Sequence, residues 1–231
     1  MKEKVFSRKF SESLVKDNYS KVAWIYDFWS WLTESKAAKR VIELASIKDG
    51  EFILEVAVGT GSVFKEIVKQ NPQGINEGLD ISDAMLKRAY KKLRNFDNQN
   101  IRLQIGNAYE LPFNENTFNL VVNNFMIDLL PEDDFEKVLV EFYRVLKSSG
   151  RVVISTMAFG KKWYNSIWHW IAKKFPKILT GCRPISLKSY LHNTGFVEIE
   201  VEHISHNTFP SEILFAKKPF YPGTIDADGN Y

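Results

Sequence analysis

The segment Glu55-Val56-Ala57-Val58-Gly59-Thr60-Gly61 is the strongest indication of the fold in this 231-residue chain. A strand is predicted over Phe52 to Val56, with a glycine turn and then a helix directly after it. A second strand is predicted over Ile75 to Leu79, and it delivers Asp80 at its tip. Glycines let the backbone approach a ligand closely, and the first turn of the helix has free N–H groups that can bind it. A carboxylate on the next strand can bind a ribose diol. The stretch therefore predicts a binding site for an adenosine cofactor.

Two classes of adenosine cofactor use turns of this kind, and the spacing of the small residues separates them. Nicotinamide dinucleotides bind a G-x-G-x-x-G turn, in which the helix start faces a pyrophosphate. Aligned to that pattern, the chain reads Ala57-x-Gly59-x-x-Ser62 and supplies one of the three glycines. Aligned instead as an acidic residue before a G-x-G turn, it reads Glu55-x-Ala57-x-Gly59-Thr60-Gly61, which fits better. An NAD-dependent Rossmann oxidoreductase is therefore the less favoured alternative.

Three further segments follow the glycine turn in order: Gly78 to Leu86 (GLDISDAML), Gly106 to Phe113 (GNAYELPF) and Glu141 to Gly150 (EFYRVLKSSG). Over roughly residues 50 to 156, the chain thereby resembles the class I S-adenosylmethionine (AdoMet) methyltransferases. The Ala-x-Gly-Thr-Gly turn and the Asp-Ile-Ser-x-x-Met-Leu segment are most similar to the ubiquinone/menaquinone C-methyltransferase family and its small-molecule relatives. The resemblance implies AdoMet as the cofactor and in-line methyl transfer to a small, apolar or aromatic acceptor.

The alternation of strand and helix patterns predicts an α/β fold, with a parallel sheet that is covered by helices on both faces. Gly150 is expected to separate the last of these helices from the fifth strand. The predicted strands lie near 52–57, 75–80, 101–105, 118–123 and 150–156, and the predicted helices near 62–70, 83–94 and 132–147.

After the fifth strand the pattern changes to a Trp-rich helical insert at 161–175 and a helix near 186–194. Two β-like runs, Phe196 to Ile204 and Ser211 to Lys217, close the fold and are linked by a segment that holds Pro210. Their short separation favours an antiparallel pair. We therefore predict a Rossmann-like doubly wound sheet of about seven strands with an antiparallel C-terminal strand. Residues 1–218 are expected to form one domain, made of an N-terminal helical lid (1–48), a cofactor-binding core (50–156) and a substrate-side insert with the closing strands (157–218), before an irregular tail (219–231).

Composition narrows the range of functions. The 31 basic and 28 acidic residues are well mixed, so the net charge of +3 predicts no nucleic-acid partner. No uncharged stretch approaches the ~20 residues of a membrane span. The charged start, Met1 to Lys4, lacks the apolar core of a secretory signal, and we expect a cytoplasmic protein. Because Cys182 is the only cysteine, an internal disulfide and a multi-cysteine metal site are excluded, and no metal is expected.

The resemblance assigns the AdoMet seat residue by residue. Glu55 would accept hydrogen bonds from the methionine ammonium or from a water that holds it, the alternative being an acid that only caps the loop. Asp80 would bind both ribose hydroxyls, because a carboxylate suits a vicinal diol. Ile81 and Met85 would enclose the adenine, unless they are ordinary core residues. The predicted cofactor-binding residues are Tyr26, Glu55, Ala57, Gly59, Gly61, Asp80, Ile81, Met85, Asn107, Ala108, Asn123 and Asn124.

The third segment and the fourth strand complete this seat. Asn107 stands where the family usually has an aspartate that accepts a bond from the adenine amino group. Since an amide oxygen accepts without charge, we expect weaker adenine recognition. The backbone N–H of Ala108 can bond a ring nitrogen. Asn123 and Asn124 end the fourth strand, where ligands of open α/β sheets bind.

The acceptor side is marked by aromatic residues. All six tryptophans lie in two windows, one before the core and one after its fifth strand: Trp24, Trp29, Trp31, Trp163, Trp168 and Trp170. Either they pack accessory helices onto the sheet, or they line an apolar acceptor pocket that also allows peripheral membrane contact. The candidate catalytic residues are Tyr26, Asp128 and His169, and Tyr26-Asp27 resembles a Tyr-Asp pair in the family's lid.

One departure leaves the acceptor open. Where quinone methyltransferases carry an Arg-Asn pair after the fourth strand, this chain has Asp128 and Leu129. The stretch Gly181 to Pro184 is more similar to lipid, thiol or other small-molecule methyltransferases. The acceptor is therefore a quinol, a lipid, a thiol or a similar small molecule. A non-catalytic AdoMet-binding partner protein is a further alternative.

Overall fold

The computed structural model describes residues 35–96, 98–159, 182–206 and 209–221. They contain one seven-stranded sheet in the order β3-β2-β1-β4-β5-β7-β6. Strands β1 to β5 are mutually parallel, whereas β7 is antiparallel to both β5 and β6. The strands are β1 Phe52–Val56, β2 Ile75–Asp80, β3 Ile101–Ile105, β4 Phe118–Asn124, β5 Leu146–Met157, β6 Val197–His206 and β7 Phe209–Lys217. The predicted α/β sheet with its antiparallel C-terminal strand is thereby confirmed.

Helices cover both faces of this sheet. The helices are α1 at 35–45, α2 Ser62–Gln70, α3 Asp83–Leu93, α4 Phe135–Val145 and α5 Lys188–Thr194. Because successive strand residues point to opposite faces, Ile53 packs with α1, α2 and α3, and its neighbour Leu54 packs with α4 and α5. Each fully buried apolar side chain in these two layers contributes roughly 1.5–3 kcal/mol, so the sheet is fixed from both sides.

Three sequence predictions about element boundaries were wrong. The fifth strand begins at Leu146 rather than at 150, because Leu146 pairs with Phe118 before a register shift, so Gly150 lies inside β5. The helix predicted over 132–147 is α4, preceded by a 3-10 turn over Glu132–Asp134. Pro210 lies within β7 rather than in the link. It is tolerated there because it is the strand's second residue and offers its carbonyl to the N–H of Ala158.

We call the edge of the sheet at which β1, β2, β4 and β5 end the carboxyl edge, and the edge at which they begin the amino edge. Connections at the carboxyl edge carry the glycine turn between β1 and α2, and the 3-10 turn Ile127–Leu129 after β4. Within the described ranges, no helix is long and apolar enough to cross a membrane. The same ranges contain no cluster of three or more His, Cys, Asp or Glu residues arranged to hold a metal ion.

Candidate active site

The glycine turn at the carboxyl edge holds three residues in the left-handed region of backbone conformation. The φ angles are 62° at Ala57, 57° at Gly59 and 79° at Gly61. Ala57 carries a side chain at such an angle, which stores strain of about 1–2 kcal/mol. A Cβ on Gly61 would lie 2.9 Å from that of Ala89, so this glycine permits close packing of α2 on α3. At Gly59 an added Cβ meets nothing within 4 Å, and the turn is therefore open to a ligand at that point.

Asp80 fixes this turn from the tip of β2. Its Oδ2 accepts a hydrogen bond from the N–H of Gly59 at 2.7 Å, and its Oδ1 accepts one from the N–H of Ser82 at 2.8 Å. Burial raises the pKa of Asp80, against the backbone N–H groups of Ser82, Gly59 and Ile81, which lower it. An ionised carboxylate has about four acceptor positions, so Asp80 keeps acceptor capacity for a further donor such as a ribose hydroxyl.

Beside Asp80, buried polar atoms lie without hydrogen-bond partners at the ends of β1 and β4. They are Glu55 Oε2, Asn123 Oδ1 and Asn124 Nδ2. None of them has a hydrogen bond of ordinary geometry in the described part of the chain, although the Asn124 side chain lies close enough to Glu55 to lower the pKa of that acid. Buried polar atoms in folded proteins are nearly always paired, and each unpaired one costs about 1–3 kcal/mol. Two of these atoms accept and one donates. An amino acid zwitterion satisfies both kinds, since its ammonium donates and its carboxylate accepts.

The Glu55 side chain is almost fully buried. Burial raises its pKa well above the ordinary value, the Asn124 side chain counteracts this, and the charge of Asp80 raises it further. The second asparagine, Asn123, is anchored by its Nδ2, which donates to the carbonyl of Val56 at 2.8 Å. A cationic ligand group would therefore be stabilised by the neighbouring acids Glu55 and Asp80.

Lys92 also contacts the glycine turn, although no motif in the sequence predicts this contact. From the last turn of α3, its Nζ donates to Thr60 Oγ1 at 3.1 Å and to Ser62 Oγ at 2.7 Å. The glycine turn is thus held by Asp80 on one side and by Lys92 on the other. The sequence does contain the groups that form these contacts, a basic residue near the end of α3 and two hydroxyl groups at the glycine turn. The contacts, however, join residues about thirty positions apart in the sequence.

The residues predicted to hold the adenine lie nearby. Ile81 is half-buried and Met85 is buried in the first turn of α3. Asn107 Oδ1 accepts a hydrogen bond from the N–H of Tyr109 at 3.1 Å, so part of its acceptor capacity serves the local turn. Ala108 packs against the layer that contains α4. Their contacts with adenine stay predictions.

Asp128 lies in the 3-10 turn that follows β4, and it is completely buried. Its Oδ2 accepts a hydrogen bond from the N–H of Met157 at 3.0 Å, whereas Oδ1 has no partner among the described residues. Burial raises the pKa of Asp128 to about 7, and the Met157 and Asp128 N–H groups, the Arg183 charge and the Cys182 thiol limit that rise. A carboxyl group with this pKa is suited to accept a proton near neutral pH.

The structure thus gathers Glu55, Gly59, Gly61, Asp80 and the asparagine pair at the carboxyl ends of β1, β2 and β4, as the sequence predicted. Tyr26, His169 and all six tryptophans lie outside the described residues, and so do the predicted insert at 161–175 and the part of the lid before residue 35.

Comparison with known proteins agrees with this arrangement. Residues 53–150 match the family described as methyltransferase domain. A demethylmenaquinone methyltransferase of Lactobacillus johnsonii is 32% identical over 198 residues, which cover 82% of this chain and 80% of the relative. Two solved structures are also similar. A methyltransferase in complex with the Haloferax volcanii Trm112 activator superposes with a TM-score of 0.71 at 15% identity, over 90% of this chain and 98% of that one. Haemonchus contortus phosphoethanolamine N-methyltransferase 2, solved with S-adenosyl-L-methionine, gives a TM-score of 0.63 at 18% identity, over 80% and 52%.

The partly antiparallel sheet distinguishes this fold from an all-parallel dinucleotide-binding sheet, and the oxidoreductase alternative finds no support in these relatives. The unpaired acceptors and donor beside the glycine turn fit the amino acid end of AdoMet, and Asp80 fits its ribose. Together with the extent of the match to the Lactobacillus enzyme, these features show that the chain belongs to the class I S-adenosylmethionine-dependent methyltransferases, in the family of the demethylmenaquinone methyltransferases.

Proposed function

We propose that this methyltransferase transfers the methyl group of AdoMet to a small aromatic acceptor that carries hydroxyl groups, most simply a quinol. The observation that carries the proposal is the buried Asp128 carboxyl, whose Oδ1 lacks a partner in the described structure beyond the end of β4. Ligands of open α/β sheets bind at this position. The similarity to a demethylmenaquinone methyltransferase supports the same acceptor class.

In this proposal, different residues of the carboxyl edge bind different parts of the cofactor. Glu55 and the asparagine pair hold the methionine end, Asp80 holds the ribose, and Ile81, Met85, Asn107 and Ala108 surround the adenine. AdoMet supplies an electrophilic methyl group on a sulfonium, which the acceptor displaces in line. The protein's own contribution is to align the acceptor, exclude water and receive a proton.

Asp128 receives that proton. A quinol ring carbon becomes a much better nucleophile when a ring hydroxyl loses its proton. A carboxyl group with its pKa near 7 is partly ionised at neutral pH and accepts the proton at Oδ1. A thiol or an already stabilised carbanion would not need such a base. Tyr26 and His169, the other candidate catalytic residues, lie outside the described residues and stay predictions.

A methyl-transfer assay with a panel of acceptors tests the proposal. The enzyme is incubated anaerobically with methyl-labelled AdoMet and one of four acceptors: a reduced 2-prenyl-1,4-naphthoquinone, phosphatidylethanolamine, a low-molecular-weight dithiol or a primary amine. We expect label in the naphthoquinol and none above background in the other three. Transfer to the phospholipid or the dithiol, with none to the quinol, would refute the quinol assignment.

We further propose that the enzyme works in the cytoplasm and meets a prenylated acceptor by peripheral contact with a membrane. A prenyl chain keeps such an acceptor in the bilayer, and tryptophans favour membrane interfaces. Co-sedimentation with phosphatidylglycerol vesicles measures this contact. Binding that disappears when Trp163 and Trp168 are both replaced by serine would support it, whereas a wild-type protein that stays in the supernatant would refute it.

A further inference from the structure

The segment 182–187 passes over the carboxyl ends of β4 and β5, and two contacts fix its position. The N–H of Ile185 donates to the carbonyl of Met157 at 3.1 Å, and Nη2 of Arg183 donates to the carbonyl of Leu130. Met157 also donates its own N–H to Asp128 Oδ2 at 3.0 Å. The same residue of β5 therefore positions Asp128 on one side and the segment that carries Arg183 on the other.

Within this cluster, one donor and one acceptor are buried without partners in the described structure. The donor is Arg183 Nε and the acceptor is Asp128 Oδ1. The Arg183 guanidinium lies 5.7 Å from the centre of the Phe135 ring and is further held by Leu130. These contacts leave Nε unused, and the Arg183 charge lies near enough to Asp128 to lower the pKa of that carboxyl.

A single group placed between these two atoms must both donate and accept. A hydroxyl group does so, whereas a carbonyl only accepts and an ammonium only donates. We propose that Arg183 Nε and Asp128 Oδ1 form a subsite that recognises one hydroxyl group of the methyl acceptor. This inference rests on the proposed function and deepens it, because it names the group by which the acceptor is chosen.

The subsite also explains how the proton leaves. The acceptor hydroxyl donates to Asp128 Oδ1 and accepts from Arg183 Nε. When the O–H bond breaks, the proton moves to Asp128 Oδ1 and the electron pair stays on the acceptor oxygen. That oxygen then carries a negative charge and remains bonded to the Arg183 guanidinium, which stabilises it. Arg183 is therefore a substrate-contacting residue, and the Arg183–Leu130 contact positions it.

A site built to bond a hydroxyl discriminates strongly against an analogue that lacks one, by up to about 10⁴-fold. The test compares 1,4-dihydroxynaphthalene, kept reduced under anaerobic conditions, with 1,4-dimethoxynaphthalene. Equilibrium dissociation constants are measured for the enzyme saturated with S-adenosylhomocysteine. We expect the wild-type enzyme to bind the dihydroxy compound at least about 100-fold more tightly.

Arg183→Lys keeps the positive charge but has no Nε donor, so we expect it to lose at least about tenfold in affinity for the dihydroxy compound. Its affinity for the dimethoxy compound and for AdoMet should stay unchanged. Arg102→Lys serves as the matched control, because the exposed Arg102 on β3 pairs with the buried Glu77 through Nη1, and this variant should bind both compounds like the wild type. Asp128→Asn should keep part of the binding and lose turnover.

Equal affinity of the wild-type enzyme for the two naphthalene compounds would overturn the subsite, and so would an Arg183→Lys variant with unchanged discrimination. A change in melting temperature alone would mean that Arg183 has only a structural role. Failure of the proposed function is distinguishable: a missing methyl transfer to the naphthoquinol, with discrimination in binding intact, would refute the acceptor assignment and leave the subsite standing.

Discussion

The two edges of the sheet differ in how completely their buried polar groups are hydrogen-bonded. At the carboxyl edge, Glu55, Asn123 and Asp128 each keep a buried oxygen that has no partner among the described residues, and the backbone is strained at Ala57. At the amino edge, the completely buried Asn71 uses all of its hydrogen-bonding positions. Its Oδ1 accepts from the N–H groups of Gly50 and Glu51, and its Nδ2 donates to the Glu51 carbonyl and to Asn76 Oδ1.

Charged groups at the amino edge are matched just as closely. Arg151 forms a two-point ion pair with Glu51, with both N···O distances at 2.8 Å, and also donates to the carbonyls of Ala45 and Ser46. Lys218 donates all three ammonium protons, to Asn116 Oδ1 and to the carbonyls of Tyr143 in α4 and of Leu146 at the start of β5. The amino edge thus provides stability, whereas the carboxyl edge keeps polar atoms ready for a ligand.

The largest expected effect is on catalysis at the carboxyl edge. Asp128→Asn should lower kcat about 10²- to 10⁴-fold, because an amide cannot take up the hydroxyl proton of the methyl acceptor. The wild-type rate should rise with pH and level off above pH 7, since the pKa of Asp128 is raised to about 7 and only its ionised form is a base. The variant should lack this rise. A pH profile of kcat for both proteins measures this, and a profile that the substitution leaves unaltered would exclude Asp128 as the base.

Substitutions at the amino edge should instead lower the stability of the fold. Arg151→Met should lower the free energy of unfolding by about 3 kcal/mol, because it strands the partly buried Glu51 carboxylate and two carbonyls. AdoMet affinity of the folded variant should be unchanged. Urea unfolding and calorimetry measure the two quantities. The control is Lys69→Met at the solvent-exposed ion pair with Glu66, which should cost less than about 1 kcal/mol. A stable Arg151 variant that binds AdoMet poorly would reverse the assignment of the edges.

Stability should also depend on pH through Asp128. Its folded pKa of about 7 lies above its ordinary value of 3.8, so the folded state takes up the proton more readily. The stability that this group contributes is complete below about pH 4 and is lost as the pH rises through 7, with a loss on the order of 2–3 kcal/mol between pH 5 and 8. Asp128→Asn should not show this share of the decline, whereas Glu55 and Asp80 contribute equally to both proteins. Parallel unfolding curves from pH 5 to 8 would contradict the burial of an ionisable Asp128.

Cofactor affinity should fall when Asp80, the acid expected to bind the ribose, is removed. Asp80→Ala should weaken AdoMet binding at least about tenfold, because the diol loses a charge-assisted partner. The fold should persist, although Gly59 and Ser82 lose an acceptor for their N–H groups. Calorimetric titration gives the affinity and circular dichroism checks the fold. A folded variant with wild-type affinity would remove Asp80 from the site.

The smallest effect comes from a matched pair of glycines, one at each edge. Gly50 at the amino edge and Gly59 at the carboxyl edge both have positive φ, and an added Cβ meets nothing within 4 Å at either. Each Gly→Ala substitution should therefore cost about 1 kcal/mol of stability through backbone strain alone. Only Gly59→Ala should also weaken AdoMet binding, since its methyl group occupies ligand space. Equal AdoMet affinity in the two variants would place the cofactor elsewhere.

Much of the carboxyl edge could be predicted from the sequence, because its signals are local. The glycine turn and Asp80 each lie at the end of a strand that the local pattern predicts, and Glu55 lies within the first of these strands. Helices α2 and α3 and strands β1 to β4 were predicted within about two residues. The amino edge could not be predicted. Arg151 and Glu51 are separated by 100 residues, and neither lies in a motif. The same reason hid Lys92 and the juxtaposition of Arg183 with Asp128, since only the assembled sheet brings these segments together.

The most direct test of the central claim is a crystal structure with S-adenosylhomocysteine, which has the contacts of AdoMet but no transferable methyl group. We predict that the ligand lies across the ends of β1, β2 and β4, with its ammonium bonded to Glu55 and its ribose hydroxyls bonded to Asp80. A well-ordered ligand bound elsewhere, with both carboxylates still lacking a ligand contact, would contradict the account.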